Sequence, residues 1–288
     1  MEDKKQKTVV ITGATSGIGL ETARKLAQEG FRVIGIGRSE NKCRKAKESI
    51  CQSAPDAVVD FYTADLCNRR EVIGVADKIK DKLKTDGGNK LHTLILNAGC
   101  AQNRYATTED GIERQFALNY LSGFLLIQKL LPQLTNAHGR VIITGSRSHK
   151  GIKIHWDDLM LTRGYHPLVA YKQSKLCCLL LAKGFNDRYG GTGLRAYVAD
   201  PGLVKTDIGT KAGGLTRFVW KFRKPFGVLP EIPANTYVWL CRQDPFPDGF
   251  CYHNCKRITY SREVTTENAD RLFRLSERLC GMEKSGRI

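Results

Sequence analysis

Residues 8–30 read TVVITGATSGIGLETARKLAQEG. Thr8–Thr12 is a short β-branched run, the pattern of a strand buried on both faces in a parallel sheet. It leads into TGATSGIG, residues 12–19, and then into a helical pattern. Strand, glycine turn and helix are together the setting a phosphate-binding loop requires. Gly13 permits the sharp turn, Gly17 removes a Cβ where a pyrophosphate would approach the backbone, and Gly19 lets the helix pack closely on the sheet. The helix N-terminus then presents free N–H groups and a partial positive charge to the anion. The spacing is G-x3-G-x-G rather than the commoner G-x-G-x-x-G.

Outward from this stretch, strand and helix alternate. Residues 31–37, 58–63, 91–96, 140–145 and 194–199 are expected strands, and 249–258 an edge strand. Residues 68–84, 111–134, 170–183, 231–242 and 268–280 are expected helices. The alternation predicts an α/β fold: one doubly wound Rossmann-type domain over residues 1–288, with a seven-stranded, mostly parallel sheet flanked by helices.

Ligands of such sheets sit at the carboxyl ends of the strands. At the end of the second strand an NAD-binding chain usually carries an acidic residue for the ribose hydroxyls. Here the position falls on Arg38, followed by Ser39, Lys42, Arg44 and Lys45. An arginine suits a 2′-phosphate by charge and by bidentate hydrogen bonding, which points to NADP(H). Asp65 ends the third strand, as an acceptor for an adenine amino group. Asn97, Ala98 and Gly99 end the fourth, small enough to leave room for ribose and nicotinamide. Asn119 falls on an apolar helical stripe with Phe116, Gly123, Ile127 and Leu130, where a buried amide needs partners. Ser146 lies at the end of the fifth strand. Pro201-Gly202 opens a turn after the sixth, and Thr206 is placed either to cap a following helix or to bond the nicotinamide amide.

Residues 170–183, AYKQSKLCCLLLAK, read as a helix: Leu176, Leu179 and Leu180 recur at helical spacing without Gly or Pro. Tyr171 and Lys175 stand four apart, on one face. A phenol ordinarily loses its proton near pH 10, and an ammonium held close favours the phenolate. Such a Tyr can pass a proton to or from a reacting oxygen.

Composition narrows the partners. Lys and Arg number 46 against 29 Asp and Glu, a net charge of +17 that favours anionic partners. No groove-reading element or stacking platform accompanies it, so a nucleic-acid partner is not expected. No apolar run reaches 18 residues, so no membrane span is expected. With the polar start MEDKKQK and ten cysteines, the expected location is a reducing cytoplasm. Cys251, His253 and Cys255 would share one face of a strand, but a fourth ligand is missing, so no metal site is expected. Residues 210–226 carry no acid; Leu215, Phe218, Phe222 and Phe226 share one helical face, and Arg217, Lys221 and Lys224 the other. Residues 203–230 are therefore expected to form a substrate lid, with peripheral membrane contact through 210–226 as the sharper alternative.

TGATSGIG, Asn97-Ala98-Gly99, Asn119, Ser146, Tyr171-x3-Lys175 and Pro201-Gly202, in this order, resemble the short-chain dehydrogenase/reductase superfamily over nearly the whole chain. Within it the chain looks most like the retinol dehydrogenase-like branch. The 25 positions from Ser146 to Tyr171, DDL in the segment 149–169, AYKQSKL, CKRITYS and NADRLFRLSERLCG carry that likeness. Two departures stand out. The superfamily often has Ser-Ser where this chain has Gly145-Ser146, and MEDKKQK is unlike the membrane-anchoring N-terminus of many animal retinol dehydrogenases.

The resemblance implies a carbonyl reductase, reversible as an alcohol dehydrogenase. Ser146 would hydrogen-bond the substrate oxygen and Tyr171 would donate the proton. Lys175 would favour the Tyr171 phenolate and bind the ribose. Asn119 would hold a water linking Lys175 to solvent. The cofactor would lie against Gly13, Thr15, Ser16, Gly17, Ile18, Gly19, Arg38, Asp65, Leu66, Asn97, Ala98, Gly99, Tyr171, Lys175, Pro201, Gly202, Val204 and Thr206. The substrate would be a small apolar carbonyl or alcohol: a retinoid, steroid, lipid aldehyde or aromatic ketone. A non-catalytic NADPH-binding regulator and a peripheral-membrane retinoid or lipid reductase are the rival readings. Pairing with a second copy is left open.

Overall fold

The computed structural model describes residues 6–86, 88–205 and 227–282. Strands β1 (Thr8–Thr12), β2 (Arg32–Gly37), β3 (Val59–Thr63), β4 (Thr93–Leu96), β5 (Arg140–Thr144), β6 (Arg195–Ala199), β7 (Cys251–His253) and β8 (Lys256–Arg257) form one sheet. Their order is β3-β2-β1-β4-β5-β6-β7-β8. Neighbours from β3 through β7 pair parallel, and β8 pairs antiparallel with β7. Every residue of β1, β2 and β4 is buried, as strands covered by helices on both faces must be. The chain leaves β1 toward β2 and β3, then returns to build β4 on its other side. The carboxyl end of β1 is therefore the switch point where such sheets open a ligand crevice.

Helices α1 (Gly17–Gln28), α2 (Glu40–Ser53), α3 (Arg69–Asp86), α4 (Arg114–Phe116), α5 (Ser122–Asn136), α6 (Pro167–Tyr189), α7 (Glu231–Arg242) and α8 (Thr266–Leu279) flank the sheet. α1 packs on α2 and α7, α3 on α5, and α6 on α8. α8 seats Phe273 edge-on against Phe124, with centroids 4.9 Å apart, and brings Ser276 Oγ within 2.6 Å of the buried Tyr120 hydroxyl. Arg140 opens β5 and reaches across to α7, where its guanidinium donates to Leu240 O at 2.6 Å and Gln243 O at 2.8 Å. These are carbonyls a helix end leaves without partners.

Three expectations change. The sheet has eight strands, not seven, because the segment read as one edge strand, 249–258, is a hairpin. Asn254 and Cys255 both take positive φ, 48° and 60°, which suits a two-residue hairpin turn. That turn also takes Cys255 off the strand on which Cys251, His253 and Cys255 were expected to share one face. Cys255 Sγ points toward Asn235 O, while Cys251 is buried with its thiol pushed up to about 12 by desolvation. Third, the helix expected over 111–134 starts at Arg114 and contains a π-turn, Ala117–Leu121, before α5.

Candidate active site

The glycine turn is built as its residues demand. Gly13 and Gly17 sit at φ 67° and 55°, where a side chain would be strained. Gly13 N–H donates to Ile36 O at 2.9 Å, tying the turn to the end of β2. A Cβ on Gly19 would lie 2.3 Å from Gly13 O and 2.5 Å from Asn97 Nδ2, so α1 meets the turn in direct backbone contact. Ser16 is the extended N-cap residue, exposed, with no side-chain cap bond and no acid in the first turn of α1. The positive end of that helix is thus unopposed by local carboxylates. Thr15 and Ile18 are half-buried beside it. A Cβ on Gly37 would stand 2.4 Å from Thr15 Cγ2, so β2 must end in glycine.

Around the turn lie the other strand ends. Arg38 is exposed directly after β2 and has no ion pair among the described residues. Asp65 is half-buried and its Oδ1 accepts from Cys67 N at 3.0 Å; Leu66 is buried. Asn97 directs its amide inward: Nδ2 donates to Thr12 O at 3.1 Å and Gly13 O at 3.3 Å. Thr12 Oγ1 in turn accepts from Asn97 N at 2.9 Å and Ala98 N at 3.0 Å. Asn97 therefore shapes the turn, while Ala98 and Gly99 keep the crevice wall free of bulk. Cys100, next in line, carries a thiol pushed up to about 12, chiefly by burial, so it is no thiolate nucleophile at neutral pH.

Tyr171 and Lys175 occupy one face of α6. Tyr171 is half-buried; Lys175 is 5% exposed, with Nζ 5.9 Å from the Tyr171 ring centroid. Lys175 Nζ donates to Thr144 O at 2.9 Å, two residues before Ser146, which brings the ammonium to the carboxyl end of β5. No carboxylate pairs with it among the described residues. A Cβ on Gly99 would stand 3.8 Å from Lys175 Nζ and 3.1 Å from Asn119 Oδ1, so α6, β4 and the π-turn converge there. Gly202, at φ 69°, turns the chain after β6, and its N–H donates to Asp200 Oδ1 at 2.8 Å. Pro201 is half-buried and Val204 is buried.

Asn119 sits in the π-turn. Its Nδ2 donates to Cys100 O at 3.0 Å and Ser174 Oγ at 2.9 Å, and its Oδ1 accepts from Cys100 N at 2.7 Å. Ser174 passes the contact on, donating to Tyr171 O at 2.8 Å. The π-turn leaves the Asn119 carbonyl to accept from the Cys178 thiol at 3.1 Å. π-turns inside helices recur at functional sites.

Ser146 caps the short helical turn Arg147–His149, and its Oγ accepts from Ser148 N at 3.2 Å and Ser148 Oγ at 2.9 Å. Sequence reasoning missed Thr12, Ser148, His149 and Ser174. Each acts through a backbone group or another hydroxyl, which spacing alone does not reveal. The segment before Tyr171 is pinned by Gln173, whose Oε1 accepts from His155 N and whose Nε2 donates to Leu159 O, both at 2.9 Å. Val204 and Val228 form a parallel bridge. Thr206 and residues 210–226 lie outside the described residues.

Comparison with known proteins agrees with this geometry. The family model for short chain dehydrogenases matches residues 7–213. Retinol dehydrogenase 12 of Mus musculus is 35% identical over 281 residues, covering 96% of this chain and 87% of that protein. Retinol dehydrogenase 13 of Homo sapiens is 33% identical over 287 residues, covering 96% and 85%. An uncharacterised protein from Mycobacterium paratuberculosis superposes with a TM-score of 0.74 at 32% identity, over 96% of this chain and 94% of the other. An alcohol dehydrogenase from Thermococcus sibiricus, complexed with 5-hydroxy-NADP, shares the fold with a TM-score of 0.67 at 21% identity, over 88% of this chain and all of that one (100%). The chain belongs to the short-chain dehydrogenase family, in its retinol dehydrogenase-like branch.

Proposed function

We propose that this oxidoreductase uses NADP(H) to interconvert an apolar aldehyde or ketone and its alcohol, with Tyr171 as the acid and base. The observation that carries the reading is the buried Lys175 ammonium beside the Tyr171 ring, held on Thr144 O without a carboxylate partner among the described residues. A buried cation without a counter-ion stabilises negative charge placed next to it. A phenolate, a developing alkoxide and cofactor hydroxyls are the groups this reading brings there.

The strand ends suit a phosphorylated dinucleotide. A Cβ would be crowded at Gly13 and would clash at Gly19, α1 offers its unopposed N-terminus, and the Arg38 guanidinium, without an ion pair among the described residues, suits a 2′-phosphate. When bound, the nicotinamide supplies or takes the hydride. Ser146 orients the substrate oxygen with its hydroxyl, and Tyr171 delivers the proton to that oxygen in reduction or removes it in oxidation. Asn119 and Ser174 hold the backbone at Tyr171 in place. An apolar substrate is favoured by the aromatic composition of residues 210–226. A panel of apolar aldehydes and ketones, monitored by NADPH oxidation, tests the reading. Turnover of at least one supports it. A silent panel with intact NADPH binding favours the non-catalytic regulator.

A second reading adds a bilayer to this chemistry. No helix among the described residues is long and apolar enough to cross a membrane. However, Val228, Leu229 and Ile232 are exposed at 38%, 56% and 47%, next to the basic, aromatic segment 210–226. Contact with a membrane surface would cover them. Flotation with anionic vesicles supports this reading, and a protein left in the aqueous fraction rejects it in favour of a freely soluble enzyme.

A further inference from the structure

We infer that Ser148 is a positioning residue that makes Ser146 a hydrogen-bond donor only, an inference that rests on the function proposed above. A serine hydroxyl has one proton to give and two lone pairs to offer. Both lone pairs of Ser146 Oγ face donors from Ser148: its N–H at 3.2 Å and its hydroxyl at 2.9 Å. The valence left to Ser146 is its own proton.

The backbone beneath is fixed from the other side. His149 is 1% exposed, and its Nε2 accepts from Ser261 N–H at 3.2 Å. That places the ring proton on Nδ1, which donates to Ser146 O at 2.5 Å. With the main chain held, the remaining freedom at Ser146 is rotation about its Cα–Cβ and Cβ–Oγ bonds, and the two donors of Ser148 restrict both. A Cβ on Gly145 would lie 2.4 Å from Val198 Cγ1, and the hydroxyl that reaches Ser146 Oγ is that of Ser148.

The chemical consequence is directional. Ser146 donates to a carbonyl oxygen, and more strongly to the alkoxide it becomes, without reorienting in the transition state. It cannot accept from an alcohol, so the proton of a bound alcohol is left to Tyr171. Ser148 itself touches neither substrate nor cofactor in this scheme.

The test is a double-mutant cycle on kcat, using NADPH and the best carbonyl substrate of the panel. Ser148→Ala is expected to lower kcat about threefold to tenfold with KM unchanged, and Ser148→Thr to restore it. In a Ser146→Ala background, Ser148→Ala should change nothing further, because it acts only through Ser146. An equal loss in both backgrounds, or no loss in the parent, overturns the inference while leaving the proposed function standing. Full activity of Ser146→Ala alone overturns the inference and the role given to Ser146, whereas a panel of carbonyls silent with the parent enzyme overturns the proposed function.

Discussion

One substitution, made at two glycines, should have opposite signs. Gly19→Ala puts a Cβ 2.3 Å from Gly13 O and 2.5 Å from Asn97 Nδ2, where 3.0 Å is the floor for real Cβ atoms. Neither obstacle is a flexible side-chain tip. One is backbone, and the other is an amide bonded to Thr12 O and Gly13 O. α1 must back away from the turn. Overpacking of this kind costs about 1–3 kcal/mol, and weakening the Asn97 bonds adds about 1 kcal/mol. Better helix propensity returns at most about 1 kcal/mol. The expected net loss is about 1–3 kcal/mol. The moved N–H groups should also weaken NADPH about tenfold or more, since mispositioning α1 removes contacts to the phosphates. Gly74→Ala lies in α3 with nothing within 4 Å of the new Cβ, so it should stabilise the fold by about 0.5–1 kcal/mol. Urea unfolding of both variants, with NADPH fluorescence titration of Gly19→Ala, reads the comparison. A Gly19→Ala protein with parental stability and affinity would refute the close contact between α1 and the turn.

Three further outcomes follow from the same structure. His92 accepts from Thr8 N at 3.0 Å through Nδ1, and burial, then Lys7, Lys90 and Arg140, depress its pKa from 6.5 to about 4. The unfolded chain therefore binds this proton first, so the stability from neutral His92 is full above pH 6.5 and lost as pH falls toward 4. Allowing for solvent screening of the partly exposed ring, about 1–2 kcal/mol should vanish over that window; urea titrations should show a shallower pH slope in His92→Asn. Ser276→Ala leaves the buried Tyr120 hydroxyl without its partner and should cost about 1–3 kcal/mol in the same unfolding assay. Arg38→Ala should weaken NADPH far more than NADH, and equal losses would reject the 2′-phosphate contact.

Much of the site was legible in the chain because backbone chemistry writes itself into residue type. Gly13 and Gly17 mark positive φ, Gly19 marks a close approach, and continuous apolar runs mark strands buried on both faces. Tyr171 and Lys175 fall on one face of a helix simply by being four apart. The rest depends on partners distant in sequence. The π-turn at Asn119 leaves the helical pattern of 111–134 unchanged in its letters, yet its carbonyl is taken by Cys178 and its Tyr120 by Ser276. The β7–β8 hairpin turns on Asn254-Cys255, which lacks the glycine that usually announces such a turn. Asn97 reads as a wall of the cofactor crevice, but its amide binds the turn itself, a choice visible only once β1 and β4 are neighbours.

The reaction proposed here needs a phenol as its proton donor, and Tyr171→Phe removes that proton while keeping the ring. In one experiment, the variant is titrated with NADPH and then assayed with the best carbonyl substrate. The expected result is parental NADPH affinity with turnover reduced by at least about 10²-fold. Parental turnover in a protein without the Tyr171 hydroxyl would contradict the assignment.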